Sequence, residues 1–218
     1  MKSAGSADAA GFVLAGGRSS RMGTDKASLL MAGESLLARA LRLLRFAGVQ
    51  ASIAGARCDA GGLTPLIEDR EPGQGPLGGV CAALASTTLP WALFLPVDLP
   101  LLPLSLLEYL LRRARVSESA VTLPSANGLP QTFPVVLRRD LLSSLQDELG
   151  GGRRGCFAAF RAAASQAGEE VSVVAVELLA QAGQAAHPAG LPPYEWFLNV
   201  NTPEEFRRAE SLETNSLA

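Results

Sequence analysis

Short apolar runs alternate along the chain with longer segments in which apolar residues recur every three or four positions. A short apolar run between polar or glycine-rich segments is typical of a buried strand, and the longer period is typical of an amphipathic helix. The pattern predicts strands at residues 11–14, 50–54, 65–67, 91–95, 120–123, 132–137 and 171–177. It predicts helices at residues 34–46, 78–86, 104–115, 140–149 and 157–164, and a last helix that begins at residue 203.

Residues with strong turn and capping preferences mark some of the boundaries. Thr202 with Glu205 three residues later forms a capping box, and Pro203 takes the first helical position. Asn127 followed by Gly128 separates two predicted strands and is a strong hairpin-turn dipeptide. The regular alternation of strands and helices favours an α/β fold with three layers (α/β/α), Rossmann-like, around a mostly parallel central sheet.

The composition fits one folded domain that has no strongly charged surface. Apolar residues make up 48% of the 218 positions and charged residues 18%, and the formal net charge is −2. A substantial core is therefore available, and no bulk positive field exists to attract nucleic acid or an anionic membrane. We expect a single domain over residues 11–212, between an N-terminal tail at 1–10 and a C-terminal tail at 213–218.

Several features predict a cytoplasmic location without a membrane span. The apolar stretch 89–107 contains four prolines and Asp98, which one spanning helix could not accommodate. Residues 1–10 lack the features of a secretion signal. The three cysteines form no close pair, which favours a reducing compartment without a disulfide framework or thiolate metal site. The single histidine, His187, stands in a proline- and glycine-rich segment, so histidine-based catalysis is disfavoured.

Three polar segments follow predicted strands, where ligands collect in folds of this class. The first, residues 14–26, reads LAGGRSSRMGTDK and combines glycines with Arg18, Arg21 and Lys26. It matches neither a Walker A loop nor a dinucleotide fingerprint, but its amides and cations suit a polyphosphate. Of the 19 basic residues only Lys2 and Lys26 are lysines, and an ammonium is a compact phosphate ligand that arginine does not replace. An ordinary glycine-rich turn is the alternative.

The other two polar segments each offer a carboxylate. Asp69 directly follows a predicted strand and could accept hydrogen bonds from ribose hydroxyls or a base, although a plain connecting loop is equally compatible. Asp98 is the only charge between Trp91 and Glu108. Because burying an unpaired carboxylate is costly, Asp98 must be protonated, paired or bound to a cation, and a divalent metal is the natural partner beside a phosphate loop. A turn or capping aspartate is the alternative.

Taken together, the motifs resemble the molybdenum cofactor guanylyltransferases, the MobA-type family of nucleotidyltransferases. The resemblance rests on LAGGRSSRMGTDK, IEDREPGQGPLGG, FLPVDLP and FLNVNTPEEF, which stand in the family's order and cover residues 11–206. It implies a nucleotidyltransferase version of the predicted fold. This chain departs from the family's pattern at two places. It has Ala54 and Ala56 where family members often carry asparagine, which affects a nucleoside contact, and it has GPLGG where GPLAG is commoner, a change that should be tolerated.

The resemblance also implies roles for individual residues. It implies that the nucleotide is bound by Leu14, Ala15, Gly16, Gly17, Lys26, Asp69 and Asp98. Arg21, Lys26 and Asp98 would form the catalytic set, with Asp98 as the ligand of Mg²⁺ or alternatively Mn²⁺. Asn199 and Asn201 would lie on the pterin side, with Asn201 as a candidate second metal ligand.

The implied reaction transfers GMP from GTP to the phosphate of the molybdenum-molybdopterin cofactor and releases pyrophosphate. Molybdopterin-handling proteins and apo-molybdoenzymes are the implied protein partners. Three alternatives remain open: a cytidylyltransferase acting on the same cofactor, a sugar-phosphate nucleotidyltransferase and a non-catalytic nucleotide-binding protein. The cytidylyl relatives typically show L-A-A-G where this chain has Leu14-Ala15-Gly16-Gly17, and the second glycine, Gly17, favours guanine over cytosine. The spacing from Arg21 to Lys26 is shorter than in the sugar-phosphate enzymes and so counts against that alternative. The presence of both Lys26 and Asp98 counts against a protein without activity.

Overall fold

The computed structural model describes residues 8–15, 26–55, 64–67, 74–153 and 155–214, and strands alternate with helices along them. The strands are β1 (Ala9–Leu14), β2 (Leu30–Met31), β3 (Glu34–Ser35), β4 (Gln50–Ala54), β5 (Leu66–Ile67), β6 (Trp91–Pro96), β7 (Val121–Ala126), β8 (Leu129–Pro130), β9 (Val135–Arg138) and β10 (Ser172–Ala175). The helices are α1 (Leu36–Phe46), α2 (Gly75–Ser86), α3 (Leu104–Ser117), α4 (Leu142–Gly150), α5 (Cys156–Gln166), α6 (Val176–Gln181) and α7 (Pro203–Thr214).

The central sheet has the strand order β10-β7-β9-β6-β1-β4-β5, and β8 pairs with β7. Strands β6, β1, β4 and β5 pair in parallel, as do β10 and β7. Among the described strands of this sheet, only β9 and β8 run against the others. The prediction of a mostly parallel sheet is therefore confirmed. Strands β2 and β3 form a separate two-stranded ribbon just before α1.

Helices cover both faces of the sheet and give the molecule three layers. Alternate residues of each strand point to opposite faces, so Val13 joins the apolar cluster under α1, α3, α6 and α7. Phe12 joins the cluster under α2, α4 and α5, where its ring stacks on Phe94 with centroids 5.3 Å apart. The three-layer prediction from the sequence is confirmed.

A close approach between β1 and the α1 layer requires glycine at position 11. A Cβ atom at Gly11 would lie 2.5 Å from Cγ2 of Val49 and 3.3 Å from the methyl groups of Leu44. The stiff, β-branched Val49 could not easily move away. Gly11 therefore sets how closely the layer packs on the strand that leads into the site.

Most element boundaries differ from the sequence predictions by only a few residues. Helix α1 begins at Leu36 rather than at residue 34, because Ser35 caps it by accepting a hydrogen bond from the amide of Ala38 at 3.1 Å. Helix α2 begins at Gly75 rather than residue 78, with Pro76 in the first turn, where its missing N–H costs nothing.

The turn and capping predictions are confirmed. Asn127 and Gly128 both have positive φ values, 51° and 74°, and join β7 to β8 in a hairpin. At the start of α7, the amide of Glu205 donates to Thr202 Oγ1 at 3.2 Å, while the Thr202 amide donates to Glu205 Oε2 at 2.9 Å. This reciprocal pair is the predicted capping box.

The prediction of a strand through residues 171–177 is wrong for its last two residues. Strand β10 ends at Ala175, and α6 begins at Val176. The run of β-branched residues hides this boundary, since Val176 fits a strand by propensity but turns inward to a fully buried position. Within the described part of the chain, no helix is both long and apolar enough to cross a membrane.

Candidate active site

The carboxyl ends of β1 and β6 lie side by side and form the edge of the site. Leu14, the last residue of β1, pairs with Pro96, the last residue of β6. Beyond the strands, the amide of Val97 donates to the carbonyl of Leu14 at 3.2 Å, and the amide of Ala15 donates to the carbonyl of Ala54 at 3.1 Å. Ala15 and Val97, the residues that follow the two strands, therefore lie at one shared edge of the sheet, where ligands collect in folds with parallel strands.

The segment before α7 returns to the same edge. The amide of Val200 donates to the carbonyl of Asp98 at 2.9 Å, so residues near the C-terminal helix lie directly against the exit of β6. Val200 is fully buried, which anchors this segment in the apolar layer next to the site. Asn201, the next residue, consequently lies close to Asp98.

Lys26 completes the cluster. It begins a short 3₁₀ turn at Lys26–Ser28, and its Nζ lies 2.5 Å from Asn201 Oδ1 and 3.7 Å from Asp98 Oδ2. The Lys26 side chain is 16% exposed and that of Asp98 is 25% exposed, so both charges are largely removed from water. The sequence argument that Lys26 and Asp98 share one site agrees with this distance.

The electrostatic balance of the cluster is incomplete. Burial raises the pKa of Asp98 above its ordinary value, and the nearby Lys26 opposes this only in part. At 3.7 Å the ammonium is too far from Oδ2 for a direct hydrogen bond. A further cation near Asp98 would therefore stabilise the charged carboxylate.

Comparison with known proteins places the chain in a family. The family model of the MobA-like NTP transferase domain matches residues 11–171, well over half of the chain. The chain belongs to this family. The resemblance inferred from the sequence motifs is thereby confirmed, and the family is one of nucleotidyltransferases.

Two curated relatives of this MobA-like chain illustrate the similarity. A molybdenum cofactor guanylyltransferase of Rhizobium meliloti (strain 1021) is 34% identical over 213 residues, which cover 91% of this chain and 89% of the relative. One of Xanthomonas euvesicatoria pv. vesicatoria (strain 85-10) is 47% identical over 106 residues, covering 46% of this chain and 52% of the relative.

Solved structures confirm the fold of the MobA-like chain. The molybdopterin-guanine dinucleotide biosynthesis protein A from Archaeoglobus fulgidus superimposes with a TM-score of 0.74 at 20% identity, covering 94% of this chain and 98% of that one. The 2-C-methyl-D-erythritol 4-phosphate cytidylyltransferase from Thermus thermophilus gives 0.66 at 17% identity, with coverages of 94% and 98%. At such identities the likeness extends to the fold alone.

The MobA-like site offers oxygen ligands to a divalent cation. Within the described residues, no group of three or more His, Cys, Asp or Glu side chains is placed to hold a metal. Asp98 and Asn201 nevertheless present a carboxylate and an amide oxygen to one cation, the Lys26 ammonium. Magnesium is commonly held by one or two carboxylates with substrate phosphates and water, so this donor set fits Mg²⁺.

Of the remaining predicted site residues, those that the structure describes do not contact Lys26 or Asp98 through their side chains. Leu14 is buried and Ala15 half-buried at the end of β1, close to the cluster. Asn199 is exposed, and within the described chain its side chain joins neither Lys26 nor Asp98. The predictions for Gly16, Gly17, Arg21, Asp69 and the departure at Ala56 lie outside the described residues.

One contributor to the site was missed by the sequence analysis. The carboxylate of Glu205, predicted only as part of a capping box, also accepts a hydrogen bond from the amide of Asn201 at 2.8 Å. No rule of residue spacing predicts this hydrogen bond, because it depends on the path of the chain just before the helix. The one sequence signal for it is that an asparagine, Asn201, directly precedes the capping threonine in the motif Asn-Thr-Pro-Glu-Glu.

Proposed function

We propose that this chain is a molybdenum cofactor guanylyltransferase. It transfers GMP from GTP to the phosphate of molybdenum-molybdopterin and releases pyrophosphate. The observation that carries the proposal is the cluster of Lys26, Asp98 and Asn201 at the carboxyl end of the sheet. Support comes from the name of the Rhizobium meliloti relative, which aligns with 91% of the chain.

The reaction suits a site without a nucleophile–base pair. An oxygen of the pterin phosphate attacks the α-phosphorus of GTP, a new P–O bond forms, and the bond to the bridging oxygen of the β-phosphate breaks. The bonding electrons leave with pyrophosphate. A phosphate monoester is already anionic near neutral pH, since its second pKa is about 6, so no residue needs to remove a proton. The demands are in-line positioning and neutralisation of negative charge.

Lys26 meets the second demand. Its ammonium has three donors, and in our proposal it donates to the phosphates of GTP while it keeps its hydrogen bond to Asn201. The side chain is only 16% exposed, so the attraction to phosphate is screened less than at an open surface. Lys26→Ala is expected to weaken GTP binding as well as turnover, because the phosphates carry charge before and during the reaction.

Asp98 would hold Mg²⁺, with Mn²⁺ as an alternative and Asn201 as a second ligand. When bound, the ion would neutralise phosphate charge and orient the α-phosphoryl group. The chain's own contribution is a buried carboxylate whose charge Lys26 balances only in part, on a residue whose backbone carbonyl accepts from the amide of Val200.

The other roles in the proposal come from the sequence motifs. The guanosine would be bound by Leu14, Ala15, Gly16, Gly17 and Asp69. Arg21 would face the phosphates, and Asn199 the pterin side. The proposal also includes a cytoplasmic location and contacts with molybdopterin-handling proteins and apo-molybdoenzymes.

Turnover with GTP, CTP, ATP and UTP, each with molybdenum-loaded pterin, tests the proposal. We expect product only with GTP, because glycine at position 17 lets the backbone approach a purine edge and buried base-edge hydrogen bonds discriminate strongly. Lys26→Ala should abolish most of this turnover, and Lys2→Ala, a change at the other lysine, should leave it intact. Preference for CTP would replace the proposal with the cytidylyl alternative, and GTP binding without turnover would favour a non-catalytic protein.

A further inference from the structure

We propose that Glu205 is a positioning residue for Lys26. Its carboxylate fixes the backbone of Asn201, and the Asn201 side-chain oxygen in turn holds the Lys26 ammonium in the site. The inference rests on the proposed function, because it concerns the same phosphate-binding lysine. The start of α7 thereby has a role beyond capping the helix.

The geometry of Glu205 exceeds what helix capping requires. In a capping box the carboxylate at the third helical position accepts from the amide of the N-cap residue, here Thr202, at 2.9 Å. The same oxygen, Oε2, also accepts from the amide of Asn201 at 2.8 Å, one residue farther from the helix. Two consecutive amides are thus held by one carboxylate oxygen, which restrains the backbone on both sides of Asn201.

The restrained backbone aims the Asn201 side chain. Asn201 Oδ1 accepts from Lys26 Nζ at 2.5 Å, a direct hydrogen bond. Asp98 lies 3.7 Å from the same ammonium and supplies charge without a hydrogen bond. Asn201 is therefore the group that sets the direction of the Lys26 side chain, and Glu205 is the group that sets Asn201.

Asn201 lies between the other two members of this connection: its backbone amide donates to the Glu205 carboxylate, and its side-chain oxygen accepts from the Lys26 ammonium. A lysine side chain loses much rotamer freedom when it is ordered, so holding Lys26 before GTP arrives lowers the entropic cost of binding.

The start of α7 provides a matched control. Thr202 Oγ1 accepts from the amide of Glu205 at 3.2 Å, so Thr202→Val weakens the same capping box without removing the carboxylate that holds Asn201. Glu204, the preceding carboxylate in the first turn, is exposed and controls for negative charge near the helix terminus. If Glu205 only caps the helix, its variants will behave like those at Thr202.

The first test needs no substrate. The chain has only two lysines, Lys2 and Lys26, so labelling with ¹⁵N-lysine gives two ammonium signals that Lys2→Arg assigns. We expect the Lys26 signal to be shifted and slow in exchange with water. Glu205→Ala should move it towards the Lys2 signal, Glu205→Gln should move it less because an amide oxygen still accepts, and Thr202→Val should leave it in place. An unmoved signal in Glu205→Ala, or an equal movement in Thr202→Val, overturns the proposal.

The second test uses turnover of the full chain with GTP. Glu205→Ala is expected to lower kcat/KM by about 10-fold, the scale typical of a residue that orients a ligating group, while Glu204→Ala leaves it unchanged. In an Asn201→Ala background, Glu205→Ala should cause no further loss, because the connection is already broken. Additive losses would overturn the proposal. A wild-type chain without GTP turnover would refute the proposed function alone, since the ammonium signal still decides the role of Glu205.

Discussion

Two ion pairs with nearly equal burial have very different geometry. Lys26 and Asp98, at the carboxyl end of the sheet, have side chains 16% and 25% exposed, and their closest atoms lie 3.7 Å apart. Arg39 of α1 and Glu213 of α7 are 12% and 22% exposed, yet one arginine nitrogen lies 2.6 and 2.8 Å from the two carboxylate oxygens. Solvent exposure therefore cannot explain the difference.

The difference follows from residue type and agrees with the role that the proposed function gives to each pair. Among the described residues, every other ion pair uses arginine, and none of them is longer than 2.9 Å. Arginine's planar fork matches a carboxylate and closes on it, whereas an ammonium remains free to change partners. A pair that joins two helices, such as Arg39 and Glu213, is best held in direct hydrogen-bond contact. In the proposed function, Lys26 and Asp98 would turn their charges to a nucleotide and a metal ion, and a pair with that role is best left without a close contact.

The largest expected effect comes from removing the charge of Asp98. Asp98→Asn keeps the shape of the side chain but removes the negative charge that would bind Mg²⁺. We expect GTP turnover to fall by at least about 100-fold, equivalent to about 2.7 kcal/mol of lost transition-state stabilisation. The fold should survive, because a neutral amide is less costly to bury than a carboxylate.

Turnover at several Mg²⁺ concentrations and a thermal melt provide the measurement for Asp98→Asn. Loss of turnover with an unchanged melting temperature supports a role in the reaction. Intact Mg²⁺-dependent turnover would show that Asp98 is a structural turn residue. Another group, such as Asn201 with the phosphates, would then have to hold the ion.

The next effect concerns stability instead of turnover. Glu213→Gln removes the charge that balances Arg39, whose Nε is buried without a described partner. We expect a loss of about 2 kcal/mol, below the usual cost of breaking a fully buried pair because this one is partly exposed. For a chain of this size the melting temperature should fall by roughly 4–8 °C. GTP turnover below the transition should be unchanged, and a tenfold loss would contradict the separation of the two regions.

Lys26→Arg tests directly whether the open pair needs a lysine. The guanidinium keeps the positive charge, but its fork would close on Asp98 as the arginine pairs elsewhere do. We expect kcat/KM for GTP to fall by about 10-fold, equivalent to about 1.4 kcal/mol. Lys2→Arg is the matched control and should have no effect. Full activity of Lys26→Arg would mean that charge alone, and not the freedom of the ammonium, matters at this position.

The sequence predicted these residues where composition made them exceptional. Lys26 stood out as one of two lysines, and Asp98 as a lone charge in an apolar stretch. Both signals are local, and both follow from the cost of burying charge. The layers and the parallel sheet were predictable for a similar reason, because the spacing of apolar residues within each segment indicates which of its residues are buried.

What the sequence could not predict depends on distant parts of the chain. Lys26 and Asn201 are separated by 175 positions, and their contact depends on how Val200 packs beside Asp98. The second hydrogen bond of Glu205 was missed for the same reason. The start of α6 at Val176 was missed because β-branched residues continue across the boundary, and only packing against the layer decides which structure forms.

The smallest expected effect comes from an exposed pair on the same helix as Arg39. Arg42 donates to both oxygens of Glu34 at 2.8–3.2 Å, but the two side chains are 44% and 29% exposed. Water and salt screen such a pair, so Glu34→Gln should cost no more than about 0.5 kcal/mol and leave turnover unchanged. If position decides the strength of a pair, this closed geometry will not make it as important as Arg39–Glu213.

The pH dependence of stability provides the check on Glu34→Gln. Hydrogen bonds from Arg42 are the largest cause that lowers the pKa of Glu34 below its ordinary value of 4.5. The contribution of the Glu34 carboxylate to the free energy of unfolding is therefore complete above about pH 4.5, and it is lost as the pH falls through the lower pKa of the folded state. Wild type and Glu34→Gln should differ slightly in unfolding free energy at pH 7 and converge in acid. A difference at pH 7 as large as that of Glu213→Gln would show that geometry, not burial, sets the strength of these pairs.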